Sequence, residues 1–548
     1  MNPTGTPAET PNRPGDPSAL DETARTLRTL PVRPGTFFDA WTREPERFAD
    51  LLPNPFAAGV HARAGALPPP GGTRAAAART IAGTNRAWGA DPATLAAVER
   101  LGRPETLAVV TGQQPGLFGG PLYSLIKAMS AVAAARELEA QTGRPVVPVF
   151  WIEGDDHDFE EIRNAWLLNR SASPHPLRYE PQDEHVGLPA FRRILDRSIL
   201  DLHQQLAEAL PETEYTADLL RAAQDCYAPG RSLPEAFGRL LLHLSRGSGL
   251  VVMDPTGPEL KRLAFPVYEA AVRHEAEGRL QIAARTREIE AIGFPGQAAP
   301  EGYGVFCTGS DGMRTRVQTD GPGGRPEAVL DGCVERLSAA VLLRPLVQDF
   351  LLPTAVYVGG PSEIAYHAQM GDLYRIHDIP RPLVIPRHQV AILTRSQLRV
   401  LDQDGISFDD LSAGDEAALN RRAADPAAQA AFVGAGTSLD SSLEEVEQAV
   451  GAVDQSLRAA VRRARGKMHA ILADLEAKSV RAAKRRDEER RGRFLRARNA
   501  LFPGGTPQER RLSPLVFANR YGPDFAVWLR SALEDPAADR RARNLLLR

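Results

Sequence analysis

The sequence predicts an α/β fold, with a doubly wound parallel-sheet core followed by a C-terminal α-helical coiled-coil region. Three observations carry this. Short apolar runs that read as buried strands recur between residues 107 and 393, and they end in glycine-rich or acidic turns. A helical stretch joins the first two runs, which makes a βαβ unit and therefore a parallel pair. Beyond residue 440, apolar residues step by three and four alternately, the heptad signature of a coiled coil.

A chain of 548 residues allows two to four domains. The expected organisation is a disordered N-terminal segment over 1–30, a core over 31–395 with an insertion at about 170–240, and a C-terminal region over 396–548 with its coiled coil at about 440–500. The first 19 residues are rich in Pro, Thr and Gly, a composition that cannot build a core. Residues 36–66 read as a mixed helical segment ended by Pro53 and Pro55, and 73–101 as one Ala- and Arg-rich helix. Leu107 to Val110 form the first strand. A polar, glycine-rich turn follows, and a helix runs from Leu122 to about Leu138. Pro145 to Ile152 form the second strand, ending in Gly154-Asp155-Asp156-His157-Asp158.

The insertion holds a small β element near 176–195 and helices after Pro189. Gly249 to Asp254 give a third strand with a helix from Glu259. Residues 303–319 read as a hairpin turning at Asp311-Gly312. A helix is expected from about Ser338, then a strand from Thr354 to Val358 that ends in Gly359-Gly360-Pro361-Ser362-Glu363. The last core strand is either Pro382 to Pro386 or Val390 to Leu393. In the C-terminal region the seam is Leu443, Val446, Val450, Val453, Leu457, Ala460 and Ala464, continued by Ile471 and Leu475 after Met468. Asp454 or Gly466 marks a break between two helices.

Composition bounds the function. Hydrophobic residues at 43% and charged residues at 25% are ordinary globular values. A net charge of −3 argues against nucleic-acid or anionic-membrane partners. Residues 458–498 carry 15 lysines and arginines against 5 acids. With Phe494 as the lone aromatic there, this reads as a solvated helix face rather than a single-strand binding arm. No run approaches the roughly 18 apolar residues of a membrane span. Cys226, Cys307 and Cys333 show no metal-type spacing and fit a reducing cytoplasm.

The carboxyl edge of a parallel sheet gathers its strand ends, so three segments converge on one site. Thr111, Gly112, Gln113, Gln114, Gly119 and Gly120 form a strand-to-helix turn, a place where backbone N–H groups and the helix dipole favour anions. The turn matches neither G-x-G-x-x-G nor a P-loop. Asp155, Asp156 and His157 suit general-base or amine-binding work, with Asp158 as a binding partner or helix cap. Such carboxylates can also hold Mg²⁺ beside phosphates, though no metal ligand set is assigned. Gly359, Gly360, Pro361, Glu363 and Tyr366 supply the third wall. Tyr123 and Lys127 share one helix face at i and i+4. Lys127, Arg344 and Arg387 are cations for a phosphate or carboxylate.

Together the segments VVTGQQPGLFGGPLYSLIKAMSA, VPVFWIEGDDHDFEEI, LLRPLVQD, YVGGPSEIAYHAQM, LFPGGTPQER and NRYGPDF are far more specific than any lone glycine motif. Through them the chain resembles the cysteine-adding enzymes, or cysteine ligases, of bacillithiol biosynthesis. The resemblance spans about 107–525. It implies a Rossmann-like core with inserted connecting elements and a coiled coil that makes a homodimer. It implies addition of L-cysteine to the glucosamine amine of glucosaminyl-malate, the last step of the pathway. Amide formation from a free carboxylate is uphill in water, so ATP is expected as co-substrate. The core is similar to those of class I synthetases, yet neither an HIGH-type nor a KMSKS-type motif occurs. No Cys/His cluster offers a zinc site for the substrate thiol. Read without the resemblance, the same residues also fit a nucleotide-binding assembly protein whose coiled coil is the functional part, or another nucleotide-dependent transferase on the same fold.

Overall fold

The computed structural model describes residues 26–30, 35–65, 72–182, 187–317, 330, 332–403, 405–414 and 426–547. The chain forms two units. One comprises residues up to Leu393 together with Gln508 onward, and the other runs from Thr394 to Pro507. The expected C-terminal region of 396–548 therefore divides, because residues 508–548 return to the first unit. Residues 1–25 of the expected disordered segment lie outside the described residues, whereas Thr26–Leu30 form a strand.

The core is a five-stranded parallel sheet. Its strands are β1 (Leu107–Gln113), β2 (Val146–Ile152), β3 (Val251–Met253), β4 (Thr354–Gly359) and β5 (Leu383–Pro386). Their spatial order is β5-β4-β1-β2-β3, and every neighbouring pair is parallel. This is the doubly wound Rossmann-like arrangement, and the strand order reverses direction between β1 and β4. All strands are buried almost throughout, which is why they read as continuous apolar runs. Helix α1 (Tyr123–Thr142) links β1 to β2 and ends at Gly143, whose φ of +66° supplies the left-handed cap. One side of the sheet packs on the long apolar face of α1. Residues Trp528, Leu529 and Leu533 of the helix Phe525–Glu534 lie in the same core cluster.

Several connections depart from the sequence expectation. The single helix over 73–101 is two, Arg74–Ala87 and Pro92–Leu101. Gly89 turns the chain at φ +84°, Asp91 accepts hydrogen bonds from the N–H groups of Ala93 and Thr94, and Pro92 opens the second helix. In the 36–66 segment, helix is confined to Phe37–Arg43, a 3₁₀ turn at Pro45–Phe48, and Val60–Gly65. The β element of the insertion begins earlier than expected, as an antiparallel pair of Asn164–Leu168 with Pro174–Arg178. Helices Ile199–Ala209, Thr216–Cys226 and Leu233–Leu244 follow and share a core cluster with Leu117 and Phe118.

The hairpin of Val305–Thr308 and Arg314–Arg316 forms as expected. Where a helix was expected from Ser338, Leu337–Ala339 instead pairs with Val305–Cys307 as a third strand. The helix waits until α2 (Arg344–Leu351), because Pro345 suits its first turn and no earlier one. Helix α3 (Pro361–Ala368) follows β4. Both candidates for the last strand are strands. Leu383–Pro386 joins the main sheet, while Gln389–Leu393 pairs in parallel with Arg543–Leu547, which is itself antiparallel to Thr26–Leu30.

The second unit is dominated by two helices, Pro426–Val453 and Leu457–Leu501, broken at Asp454–Ser456 rather than at Gly466. They fold back on one another. Asp440 meets His469 at 2.7 Å and Glu447 meets Arg462 at 2.9 Å, a pairing that runs antiparallel. Among the described residues, no helix is long and apolar enough to cross a membrane.

Candidate active site

A cavity of about 360 Å³ opens at the carboxyl ends of β1 and β4, where the strand order reverses. This is the crevice in which open α/β sheets bind ligands, and its size suits a small polar molecule. Gly112, Gln113 and Gln114 after β1, Asp156 after β2, and Gly360, Pro361, Ser362 and Glu363 after β4 all line it. The three expected strand ends do converge.

Gly112 makes the first wall possible. A Cβ there would lie 2.7 Å from the Trp151 carbonyl oxygen, so only glycine lets β1 and β2 run this close. Beside it, Lys127 projects from α1 into the interior. Its ammonium donates to the Gly112 carbonyl, to Gln113 Oε1 at 3.2 Å and to Glu363 Oε2 at 2.7 Å. Glu363 also accepts from the Gly360 N–H at 2.6 Å and from the Tyr357 hydroxyl at 2.8 Å, so both its oxygens are occupied. Burial alone would raise this carboxyl. The charge and hydrogen bond of Lys127, with the Gly360 and Tyr357 donors, outweigh that and hold it below the usual carboxylate range. Lys127 and Glu363 therefore lock α1, β1 and β4 together at the cavity floor.

A second layer joins the other walls. Gln113 Nε2 donates to the Tyr123 hydroxyl at 3.1 Å, and Gln114 Nε2 donates to Asp156 Oδ2 at 2.6 Å. Burial pushes Tyr123 up to about 12, so it enters the site as a neutral phenol. Arg387 lies 5.6 Å over the Tyr123 ring, and its guanidinium makes a bidentate pair with the buried Glu509 at 2.9 Å for each contact. Arg344 donates to the Tyr366 hydroxyl at 3.0 Å and lies 3.5 Å from Glu153.

Other predicted residues lie elsewhere. Thr111 is fully buried, and its hydroxyl ties β1 to the Val358 carbonyl at 2.8 Å. Asp155 leaves the cavity to pair with Lys261 at 2.9 Å. His157 is 60% exposed and outside the lining, with Nδ1 3.5 Å from Asp156. Asp158 caps the short helix Phe159–Ile162 by accepting from Glu161 N–H. Gly359 is buried within β4, and its carbonyl accepts from Arg387 N–H at 2.9 Å.

Gly119 and Gly120 turn away from the cavity. Tyr227 grips this turn, accepting from Gly119 N–H at 3.0 Å and donating to the Gly116 carbonyl at 2.8 Å. Gly116 and Gly120 N–H groups donate to Gln114 and Leu117 carbonyls. With its donors so engaged, the turn packs the insertion against the sheet, and the anion-cradle geometry expected of it is not formed by these glycines.

The cavity also holds residues that the sequence reading passed over. Glu153, at the end of β2, accepts from Trp151 Nε1 at 3.1 Å. Burial pushes its carboxyl up to about 7, against the pull of Arg344, with Asp155 and Asp156 adding to the rise. Glu161 lines the opposite side and is also raised by burial. Arg314 reaches in from the hairpin, bonded to Ser338 Oγ at 2.8 Å and the Ala339 carbonyl at 2.6 Å. Arg510 reaches in from the returning C-terminal segment. Among the described residues, neither Arg314 nor Arg510 meets a carboxylate, unlike the other three cations. In sequence Glu153 was hidden at the end of an apolar run. Arg314 and Arg510 come from distant elements that no spacing rule connects.

Among the described residues, no group of three or more His, Cys, Asp or Glu side chains is placed to hold a metal ion. Among the described residues none of the three cysteines is in a disulfide, and burial pushes Cys226 up to about 11 and Cys333 up to about 12, far from a reactive thiolate.

Comparison with known families agrees with the fold. The model of the N-terminal Rossmann-like domain of bacillithiol biosynthesis BshC matches residues 59–325 and 327–388. The model of the C-terminal coiled-coil domain matches residues 390–538. The chain belongs to the BshC family. Similar proteins include three named "Putative cysteine ligase BshC". The one from Salinibacter ruber is 36% identical over 473 residues, which covers 83% of this chain and 86% of that protein. The one from Koribacter versatilis is 34% identical, covering 83% and 87%. The one from Symbiobacterium thermophilum is 32% identical, covering 83% and 86%. The family's coiled-coil match extends over residues 508–538, which in this structure pack with the Rossmann-like unit.

Proposed function

We propose that this ligase joins the carboxyl of L-cysteine to the glucosamine amine of glucosaminyl-malate in the last step of bacillithiol biosynthesis, with ATP activating the carboxyl. The observation that carries this reading is the charge arrangement in the cavity. Among the described residues Arg314 and Arg510 face it without carboxylate partners, while Glu153, Asp156 and Glu161 face it without a paired lysine, the contacts of Arg344 with Glu153 and of His157 with Asp156 being long at 3.5 Å. A site for malate carboxylates or nucleotide phosphates needs the first set, and a site for ammonium groups needs the second.

In this reading Asp156 binds an amine through the remaining lone pair of Oδ2, with His157 beside it at 3.5 Å, while Asp155 is held by Lys261. Asp155 and Asp158 are engaged elsewhere, so a Mg²⁺ ion is best carried by the nucleotide phosphates rather than by a protein ligand set. Three cysteines outside any disulfide among the described residues suit a cytoplasmic location. The hairpin arm supports a homodimer, because Val446, Val453, Leu457, Met468, Ile471 and Leu475 are exposed along it.

Incubation of the purified protein with L-cysteine, glucosaminyl-malate and ATP, followed by mass spectrometry of derivatised thiols, should yield bacillithiol. Absence of that product, under conditions where an active family member makes it, would overturn the reading.

A further inference from the structure

Four carboxylates face the cavity, and two already have both oxygens engaged. Glu363 spends both oxygens on Lys127, Gly360 and Tyr357. Asp156 accepts from Gln114 through Oδ2 and from the N–H groups of His157 and Asp158 through Oδ1. Glu161 is exposed to solvent. Glu153 differs. Its Oε2 takes both the Trp151 indole N–H and the approach of Arg344, which fixes the carboxyl plane. Its Oε1 has no hydrogen-bond partner among the described residues.

We infer that Glu153 is the general base of the ligation, with Oε1 receiving the proton of the attacking amine. This rests on the reaction proposed above. In the step, the amine nitrogen forms a bond to the activated cysteinyl carbonyl carbon. The bond from that carbon to the phosphate oxygen breaks, and its electron pair leaves with the phosphate. The proton lost by nitrogen goes to Glu153.

The groups facing this carboxyl are Arg344 from α2, Arg314 from the hairpin, Tyr268 from the helix Phe265–Arg273, and Asp155 and Asp156 from its own loop. Burial is the largest influence, Arg344 and Arg314 pull against it, and Asp155 and Asp156 add to it. Burial places the carboxyl near 7, where a base both accepts a proton and is ionised at physiological pH.

The test is the pH dependence of kcat for the full-length wild type, Glu153→Gln and Glu153→Asp, with product measured directly. In the wild type kcat should rise through about pH 7. Glu153→Gln should lose about 100-fold or more in kcat and lose that rise. Its KM for both substrates should stay within about three-fold, and added formate should restore part of the rate. If Glu153→Gln does not fold, Glu153→Asp decides, since a displaced carboxylate should keep the pH-dependent limb at reduced kcat. An active wild type whose Glu153→Gln keeps kcat within about tenfold, or keeps the same pH profile, overturns the inference alone. So does a Glu153→Asp whose kcat is no longer pH-dependent. A wild type that makes no product overturns the proposed reaction, and the base falls with it.

Discussion

Lys127 enters the interior with three oxygen partners waiting, and one of them is a carboxylate that needs it. Replacing Lys127 with Met removes the cation and leaves Glu363 buried with only neutral donors. Lys127→Met should therefore lower unfolding free energy by about 3–5 kcal/mol, measured by urea denaturation near neutral pH. The loss should shrink as pH falls. Glu363 has a depressed folded pKa, so its stabilisation is present above the ordinary carboxylate range and vanishes once the folded carboxyl takes its proton. Glu153 works in the opposite sense. The folded protein keeps its proton up to about pH 7, whereas an unfolded glutamate releases it near 4.5. The folded state binds more protons across that window, so this residue costs up to about 3 kcal/mol of stability as pH rises through it. Denaturation at pH 5 and pH 8 should show Glu153→Gln more stable relative to wild type at the higher pH. Glu363, Asp156 and the two glutamines were legible in sequence because each sits beside a turn that ends a strand, and Lys127 because it shares a face of α1 with Tyr123 at i and i+4. Glu153 was not, since a single acid at the end of VVPVFWI looks like the close of a strand rather than a site.

At the scale of elements, the segment between β1 and α1 shows why a correct element can suggest a wrong use. The strand, the turn and the helix all lie where the apolar pattern put them. The backbone donors of Gly116, Gly119 and Gly120 are nevertheless spoken for inside the protein, a fact set by Tyr227, more than 100 residues away. Gly119 has φ +84°, and a Cβ there would lie 2.9 Å from Pro514 Cγ. Gly119→Ala should therefore destabilise by about 1–3 kcal/mol, seen as a lower Tm, while KM for each substrate stays near wild type. A strong rise in KM with unchanged Tm would instead make this turn part of the binding surface. The stretch 337–343 failed as a helix for a related reason. Leu337–Ala339 has no strong propensity of its own, and its pairing with Val305–Cys307 across the hairpin decided its state.

At the scale of the whole molecule, the heptad seam was legible as a repeat, with Asp454 as one of two candidate breaks, but the folding back of its two helices was not. Spacing records which residues share a face, whereas the reversal at Asp454–Ser456 depends on a short break that the repeat steps across. The seam residues left exposed on this arm predict self-association. Sedimentation velocity should show a concentration-dependent shift toward twice the monomer mass, and Ile471→Glu with Leu475→Glu should abolish it without loss of helical circular dichroism. A monomer at all concentrations would count against the dimer. The return of residues 508–548 to the first unit was invisible for another reason. Gln508 and Glu509 complete the strand edge by accepting from Ile392 and Val390, contacts made across more than 100 residues.

That return has a consequence for how the protein comes into being. Translation delivers the chain from its N-terminus, so the five parallel strands emerge before the whole hairpin arm and before Glu509. Until the ribosome has added Gln508 and Glu509, Arg387 lies beside the nascent crevice without its counter-charge, and the Val390 and Ile392 amides lack these acceptors. The working cavity is thus completed only after the arm has been synthesised, and a chain interrupted within the arm carries the sheet but not a finished site.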